Sequence, residues 1–498
     1  MADMSAQSQM RLRAQQRAQA SAAQQNTETA HGSAAFASAA ETAKAGSQGT
    51  LLMGRTPSGL LTYGGDGHCL TFGPTGSGKS VSVVVPNLLT YPGSAICIDP
   101  KGAIAPITAA QRAAMGQNVI LLDPFEEVAS AVNSRGRPDL WPSLSPSSVN
   151  PFGLLDAASP DAVDDARLIA TSLVLQENEQ NRYFSDSARL VLEGFILHLL
   201  SENERLTMQD LFAVAFAPQD KIKQDWLPDM RDNKAFGGHV AHLAGLIENL
   251  TGDTGAAVWS TLYRSLNLIK SPRLLPAMQP SDVNFSDLKT TPTTVYLVLP
   301  AKHLHTHGVW LRLMLSILIG QLSDARRSDY PVLFLVDECA ALGRLEILET
   351  AVGLMRGYGM KLWLIFQDLP QLKSTYGTRW ESFISNSGVK QFFNVNDLAT
   401  ADFVSEYLGH ETRYVQAENI NAQNQLPGSN ISATGRPLLT SDEVRRLAAT
   451  EAILFYEREK PIQATKLCYY EDREFKYEQD GQLINMFADD PYIIENTT

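Results

Sequence analysis

The segment Gly73-Pro74-Thr75-Gly76-Ser77-Gly78-Lys79-Ser80 constrains this chain more than any other. It satisfies G-x-x-x-x-G-K-[ST] at every fixed position. Its surroundings fit as well: the apolar run HCLTF precedes it and the helical pattern VSVVVPNLL follows. In a strand, glycine-rich turn and helix, taken in that order, the turn's backbone N–H groups are free to wrap phosphates. The helix start adds the positive end of its dipole. Gly73 to Ser80 are therefore the expected cradle for a nucleotide, ATP. Lys79 is expected to reach its β- and γ-phosphates, and Ser80 to ligate Mg²⁺.

A phosphate loop of this kind needs a sheet behind it, and the sequence supplies one. Short apolar runs recur at HCLTFG (68–73), SAICID (94–99), NVILLD (118–123), TVYLVLP (294–300), VLFLVD (332–337), KLWLIFQ (361–367) and KQFFNV (390–395). Several are apolar throughout, as strands of a parallel sheet covered on both faces are. Helical patterns separate most of them, which predicts an α/β fold. Between about 160 and 275 the texture changes to long helical patterns with almost no strand signal. Ala188, Leu192, Phe195, Ile196 and Leu199 recur at helical spacing. A second helix is expected from about Ala256 to Ile269. This block reads as an all-helical insertion in the α/β domain.

The run VLFLVDE ends on two carboxylates. A strand-end Asp is what a phosphate-loop enzyme needs to hold the Mg²⁺ shell, and Asp337 is the candidate. Glu338 is then placed to polarise an attacking water as general base. Gln367 ends the next apolar run. It is either a sensor of the γ-phosphate or a strand-end polar group satisfied by backbone. From spacing alone, Arg356 in LMRGYG is equally an arginine finger for a neighbouring subunit's nucleotide or a surface arginine closing a helix. The alternating His303, His305 and His307 have no carboxylate or cysteine close by in sequence to complete a metal site.

Composition narrows the function classes. With 54 acidic and 41 basic residues the formal net charge is −13. That argues against coating DNA over a whole surface, and leaves room for basic residues confined to a channel. The four cysteines form no C-x-x-C pair, and a reducing cytosol fits them. No apolar run reaches the roughly 18–20 residues that span a bilayer. The best, 309–322, is short, carries Arg312, and predicts a buried amphipathic helix. No secretory leader pattern is seen at the start. A cytoplasmic protein is expected, peripheral at the inner membrane through partners if it meets the membrane at all.

These pieces resemble one family, the type IV secretion coupling proteins of the TraG/TraD class, relatives of the FtsK/HerA pumps. The resemblance covers about residues 60 to 470. It rests on FGPTGSGKS, AICIDPKG, the NPF at 150–152, YFSDSARLVLEGFILHLL, and the long LVDECAALGRLEILETAVGLMRGYGMKLWLIFQDLPQLKSTYG. It implies a RecA-like nucleotide-binding domain with a mostly parallel sheet, interrupted by an all-alpha domain that recognises cargo. It implies a homo-hexamer with ATP between subunits, and single-stranded DNA or a relaxase–DNA complex passed through a central channel to a secretion channel. Lys79 and Ser80 match the family's Walker A residues, Asp337 and Glu338 its Walker B pair, Gln367 its sensor and Arg356 its arginine finger.

There are departures. The family's usual transmembrane region before the phosphate loop has no counterpart in the 72 residues preceding Gly73. Docking through a separate membrane anchor or through the 1–50 tail is therefore expected. Ala103 follows DPKG where an acidic residue is common, and Cys339 replaces a frequent aromatic or Met.

The expected organisation is a low-complexity tail over 1–55, a first part of the nucleotide-binding domain over 56–160 and an all-alpha domain over 161–275. A second part of the nucleotide-binding domain follows over 276–480, then an acidic tail over 481–498. The expected function is an ATP-hydrolysing DNA translocase that couples substrate to a secretion channel. The alternatives are a soluble receptor for protein cargo with ATP as an assembly switch, or a DNA-processing ATPase unrelated to secretion.

Overall fold

The structure is a computed structural model that describes residues 31–46, 49–134, 145–174, 182–203, 205–280, 283–323, 328–419, 428–479 and 482–485. Its centre is an 11-stranded sheet in the order β2-β1-β13-β12-β9-β3-β8-β7-β4-β6-β5. The strands are β1 Leu51–Thr56, β2 Gly59–Tyr63, β3 His68–Phe72, β4 Ala95–Asp99, β5 Asn118–Leu122, β6 Thr293–Val298, β7 Val332–Val336, β8 Met360–Phe366 and β9 Ser387–Phe393. A separate hairpin is formed by β10 His410–Asn419 and β11 Gly428–Pro437. β12 Glu451–Tyr456 and β13 Ile462–Thr465 complete the main sheet. From β9 to β5 every neighbouring pair is parallel. The rest of the sheet, through β12, β13, β1 and β2, is antiparallel.

The parallel strands are buried along most of their length, β3, β4, β6, β7, β8 and β9 at every residue. Their alternation sorts side chains onto two faces. Leu70, Phe72, Ile96, Ile98, Phe334 and Val336 join one core, and Cys69, Cys97, Leu333 and Leu335 another. The second face is covered by α1 (Val85–Thr90), which follows the phosphate loop through a π-turn, Ser80–Val84, and by α2 (Ile104–Ala114).

No strand occurs between β5 and β6 among the described residues. The long segment between them runs through α3 (Ala162–Leu173), α4 (Arg182–Glu202), α5 (Met208–Ala215), α6 (Ala235–Glu248) and α7 (Gly252–Asn267). Their apolar residues, Phe195, Ile196 and Trp259 among them, form one continuous core with the first face of the sheet. The link is α8 (Ala301–Leu322), which packs on α3. Every residue from Gly308 to Ile319 is buried. The expected amphipathic helix is thus buried all round, because the sheet covers one side and the helical segment the other. The three histidines lie within this helix, with His303 stacked on Phe125 at 4.4 Å between centroids.

Some of the residues expected in the two tails form regular structure. Residues expected in the first tail form a helix, Ala39–Gly46, and β1 inside the main sheet. Gln482–Asn485 pairs with Lys476–Gln479. Residues 1–30 and 486–498, where the remainder of both expected tails falls, lie outside the described residues. Among the described residues no helix is long and apolar enough to cross a membrane.

Candidate active site

The parallel register brings three chain segments to one edge of the sheet. Cys69–Phe72 of β3 stand opposite Trp363–Phe366 of β8, and Val332–Val336 of β7 opposite Met360–Leu364. Gly73, Gln367 and Asp337, which follow these strands, therefore emerge side by side. The strand carrying Gln367 lies between the strand of the phosphate loop and the strand of Asp337.

The phosphate loop starts with the Gly73 N–H donating to Phe366 O at 3.0 Å. A Cβ at Gly73 would lie 2.6 Å from Ser77 Oγ and 3.0 Å from Phe393 Cβ, so only glycine fits. Gly78 holds φ at 83°, in the left-handed region that glycine enters without a Cβ penalty. Lys79 Nζ donates to Gly73 O at 2.6 Å and Pro74 O at 3.0 Å. Burial pulls the Lys79 pKa down, opposed by the charges of Asp337 and Glu338. Ser77 Oγ is buried with no hydrogen-bond partner among the described residues.

Ser80 Oγ donates to Asp337 Oδ2 at 3.2 Å. Asp337 is pushed up from the usual carboxylate range by burial first and by the adjacent Glu338 second. A hydroxyl and a carboxylate this close, beside a loop of glycines, match the oxygen donors that Mg²⁺ takes. Glu338 sits in the left-handed region at φ 51° and ψ 43°. There its Oε2 accepts from Gln367 Nε2 at 3.1 Å. Gln367 is fixed in turn by its backbone N–H, which donates to Gln371 Oε1 at 2.8 Å. A cavity of about 460 Å³ opens in front of these groups, between the loop, Asp99–Lys101, the start of α8 and Tyr470.

Four residues absent from the sequence-based site belong to it. Lys466, just after β13, donates from Nζ to Ser77 O at 2.6 Å and to Asn394 Oδ1 at 2.9 Å. It braces the phosphate loop from behind, and burial pulls its pKa down to about 8. Asp99 ends β4 and accepts from the backbone N–H groups of Lys101, Ala103, Ile104 and Ala105, which fixes the DPKG turn and the start of α2. Tyr470 lines the cavity. No sequence spacing links Lys466, Asn394 or Tyr470 to the loop. Asp99 carried a signal, because it stands at a strand end directly before Pro-Lys-Gly.

Arg356 is not in this cluster. It precedes β8 and so lies at the opposite edge of the sheet, about 20 Å from Gln367 by strand rise. It is exposed, and its Nη2 pairs with Asp66 Oδ2 at 3.0 Å, just before β3. The segment leading to it is tied down by His68. Leu362 N–H donates to His68 Nδ1 at 3.1 Å, which places the ring proton on Nε2, 3.1 Å from Val352 O.

Comparison with known proteins agrees with this geometry. A family model described as type IV secretory system conjugative DNA transfer matches residues 15–486. Among curated relatives, the VirD4 protein of Rhizobium rhizogenes is 28% identical over 83% of this chain and 60% of its own length. The conjugal transfer protein TraG of Rhizobium radiobacter is 26% identical over 82% of this chain and 62% of its own length. The chain thus spans about 60% of the length of such relatives. Among solved structures, the bacterial conjugative coupling protein TrwB superposes with a TM-score of 0.64, at 15% identity, over 90% of this chain and 93% of that one. TrwB has also been solved with ADP and Mg²⁺, again at a TM-score of 0.64 and 15% identity over 91% of this chain and 95% of that one. That likeness carries the RecA-like α/β fold, and the family match carries kinship: this chain belongs to the type IV secretory system family of conjugative DNA transfer.

Proposed function

We propose that this protein is an ATP-hydrolysing motor that assembles as a homo-hexameric ring and drives DNA toward a type IV secretion channel. One observation carries the proposal: the groups that hold and attack a nucleotide gather at one edge of the sheet, and the exposed Arg356 stands at the other. An arginine about 20 Å from its own site serves a nucleotide only when a second copy presents it. Head-to-tail packing of that kind closes into a ring when the rotation allows.

In this reading the N–H groups of Gly73 to Ser80 and the Lys79 ammonium hold the phosphates of ATP. Ser80 and Asp337 hold Mg²⁺, which supplies positive charge to the β- and γ-phosphate oxygens. Gln367 orients a water against Glu338, which takes its proton as the oxygen attacks the γ-phosphorus and the bond to the β–γ bridging oxygen breaks, with ADP as the leaving group. Arg356 from the next subunit meets the charge that develops on the γ-phosphoryl group. DNA, single-stranded, runs through the central channel, where local basic residues offset an acidic chain. The all-alpha segment, proposed over 161–275, recognises a relaxase or other cargo. Contact with the inner membrane is made through channel proteins or a separate anchor, with the motor on the cytoplasmic side.

The test is ATP hydrolysis by the purified protein with and without oligothymidylate, at low and moderate salt. We expect strong stimulation that fades as salt rises, and loss of activity in Lys79→Ala. Hydrolysis indifferent to DNA at every salt concentration would replace the motor with a receptor for protein cargo.

A further inference from the structure

Helix α8 carries one guanidinium among apolar neighbours. Arg312 is only 6% exposed. Its Nη2 donates to Ser172 O at 3.3 Å, and no carboxylate pairs with it among the described residues. A cation out of water and without a counter-charge is unfavourable. Burial, with the charge of Arg189 behind it, pulls the Arg312 pKa down to about 10, so the group stays charged at neutral pH. One turn further on, Ser316 is 4% exposed on the same helix face and has no hydrogen-bond partner among the described residues.

Both side chains line a cavity of about 380 Å³ that opens to solvent between α3, α8 and the segment following Asp337-Glu338. Thr171 and Ser172 of α3 line it, as do Asp164, paired with Arg167 at 3.0 Å, and Glu346, together with Arg189 and Arg344. The last two are already engaged. Arg189 lies 3.3 Å from Asp186 and 3.6 Å from Glu346, and Arg344 2.6 Å from Glu349. Arg312 is the arginine of the group with donors to spare. None of these residues lines the nucleotide cavity.

We propose that this cavity is a second anion site that binds a phosphate group through Arg312 and Ser316, with Thr171 on the opposite wall. The planar fork of an arginine takes two oxygens of an oxyanion at once. Hydroxyls from two helices add donors out of that plane. Such a set suits the four tetrahedral oxygens of a phosphate better than the two coplanar oxygens of a carboxylate. The site also has a mechanical consequence. It joins the helical segment to Arg344–Ile347, a few residues beyond Glu338, so a phosphate seated there bears on the strand end that carries the catalytic carboxylates. Its source is either a backbone phosphodiester of a nucleic-acid strand or free phosphate.

The test uses the full chain with the phosphate loop saturated by a non-hydrolysable ATP analogue. Inorganic phosphate is titrated against thermal unfolding of the parent protein, Arg312→Met and Ser316→Ala. We expect a saturable rise in Tm for the parent. The phosphate affinity should fall about tenfold or more in Arg312→Met and severalfold in Ser316→Ala, as loss of charged and neutral hydrogen bonds does. Without phosphate, Arg312→Met should be at least as stable as the parent, because an uncompensated charge has been removed. Oligothymidylate lacking a terminal phosphate is the second arm. Competition with inorganic phosphate identifies a strand phosphodiester as the source, and its absence identifies free phosphate. Equal phosphate responses in all three proteins overturn the proposal. Should Arg312→Met fail to fold, Ser316→Ala decides alone, and an unchanged response there overturns it too.

Discussion

His68 is a buried side chain at the edge of the sheet opposite the phosphate loop, beside the segment that carries Arg356. It is 3% exposed, and burial holds its pKa down at about 4, with the charges of Lys361 and Arg356 acting in the same direction. Its neutral ring joins Leu362 of β8 to Val352, in the helix that leads to Arg356. In the unfolded chain the ring protonates near pH 6.5. Below that pH the unfolded state therefore binds more protons than the native one. Stability is complete above pH 6.5 and declines as pH falls toward 4, by up to about 3 kcal/mol. Urea unfolding at pH 7 and pH 4.5 measures this. His68→Asn, which keeps an acceptor for Leu362 and loses the titration, should remove that part of the pH dependence. A variant as pH-sensitive as the parent would refute the assignment. Glu338 makes the complementary point. Its left-handed backbone costs about 1–3 kcal/mol and turns the carboxylate toward Gln367. Both residues were legible as chemistry or as strand, but neither conformation was, because each depends on contacts made far along the chain.

Among the elements, α2 is held by an unusual cap. Asp99 serves four N–H groups from outside the helix, at the end of a buried strand. Asp99→Ala leaves those donors without their carboxylate. We expect a loss of roughly 2 kcal/mol in a urea titration, with Asp99→Asn intermediate because one acceptor remains. Equal stability of all three proteins would mean that water replaces the cap. The parallel strands were readable because burial on both faces leaves an unbroken apolar run. β1, β2, β12 and β13 were not, since they are short, partly polar or glycine-containing. They are strands because a neighbour's edge is there to pair with. Helix α8 was recognised as a buried helix, but it was expected to keep a polar face and is buried all round. Its second covering layer comes from α3, more than a hundred residues earlier.

The whole molecule is polarised. Lys79, Ser80, Asp337, Glu338 and Gln367 face one way, and Asp66 with Arg356 the other. In a head-to-tail ring, Arg356→Ala should bind ATP and hydrolyse it slowly, with a loss of about 10³-fold or more. Glu338→Gln should be inactive for a different reason, loss of the base. Mixed, the two variants form some interfaces with an intact Glu338 on one side and an intact Arg356 on the other. Hydrolysis should then recover to a fraction of the parent rate. No recovery over a range of mixing ratios would place the action of Arg356 elsewhere.

The sequence by itself determined the phosphate loop, the Asp-Glu strand end, the parallel core and the long helical segment. Those are local properties: a fixed spacing of glycines, a run of apolar residues, a period of 3.6. Only the tertiary structure decided that Lys466 and Asn394 brace the loop, that the strand of Gln367 lies between those of the phosphate loop and Asp337, and that Arg356 lies at the far edge of the sheet. It also decided that Arg312 ends beside Ser316 in a shared cavity, with no carboxylate paired to it among the described residues. These are matters of strand order and register. Strand order is set by which apolar faces fit together across the whole chain, and no short segment carries that information.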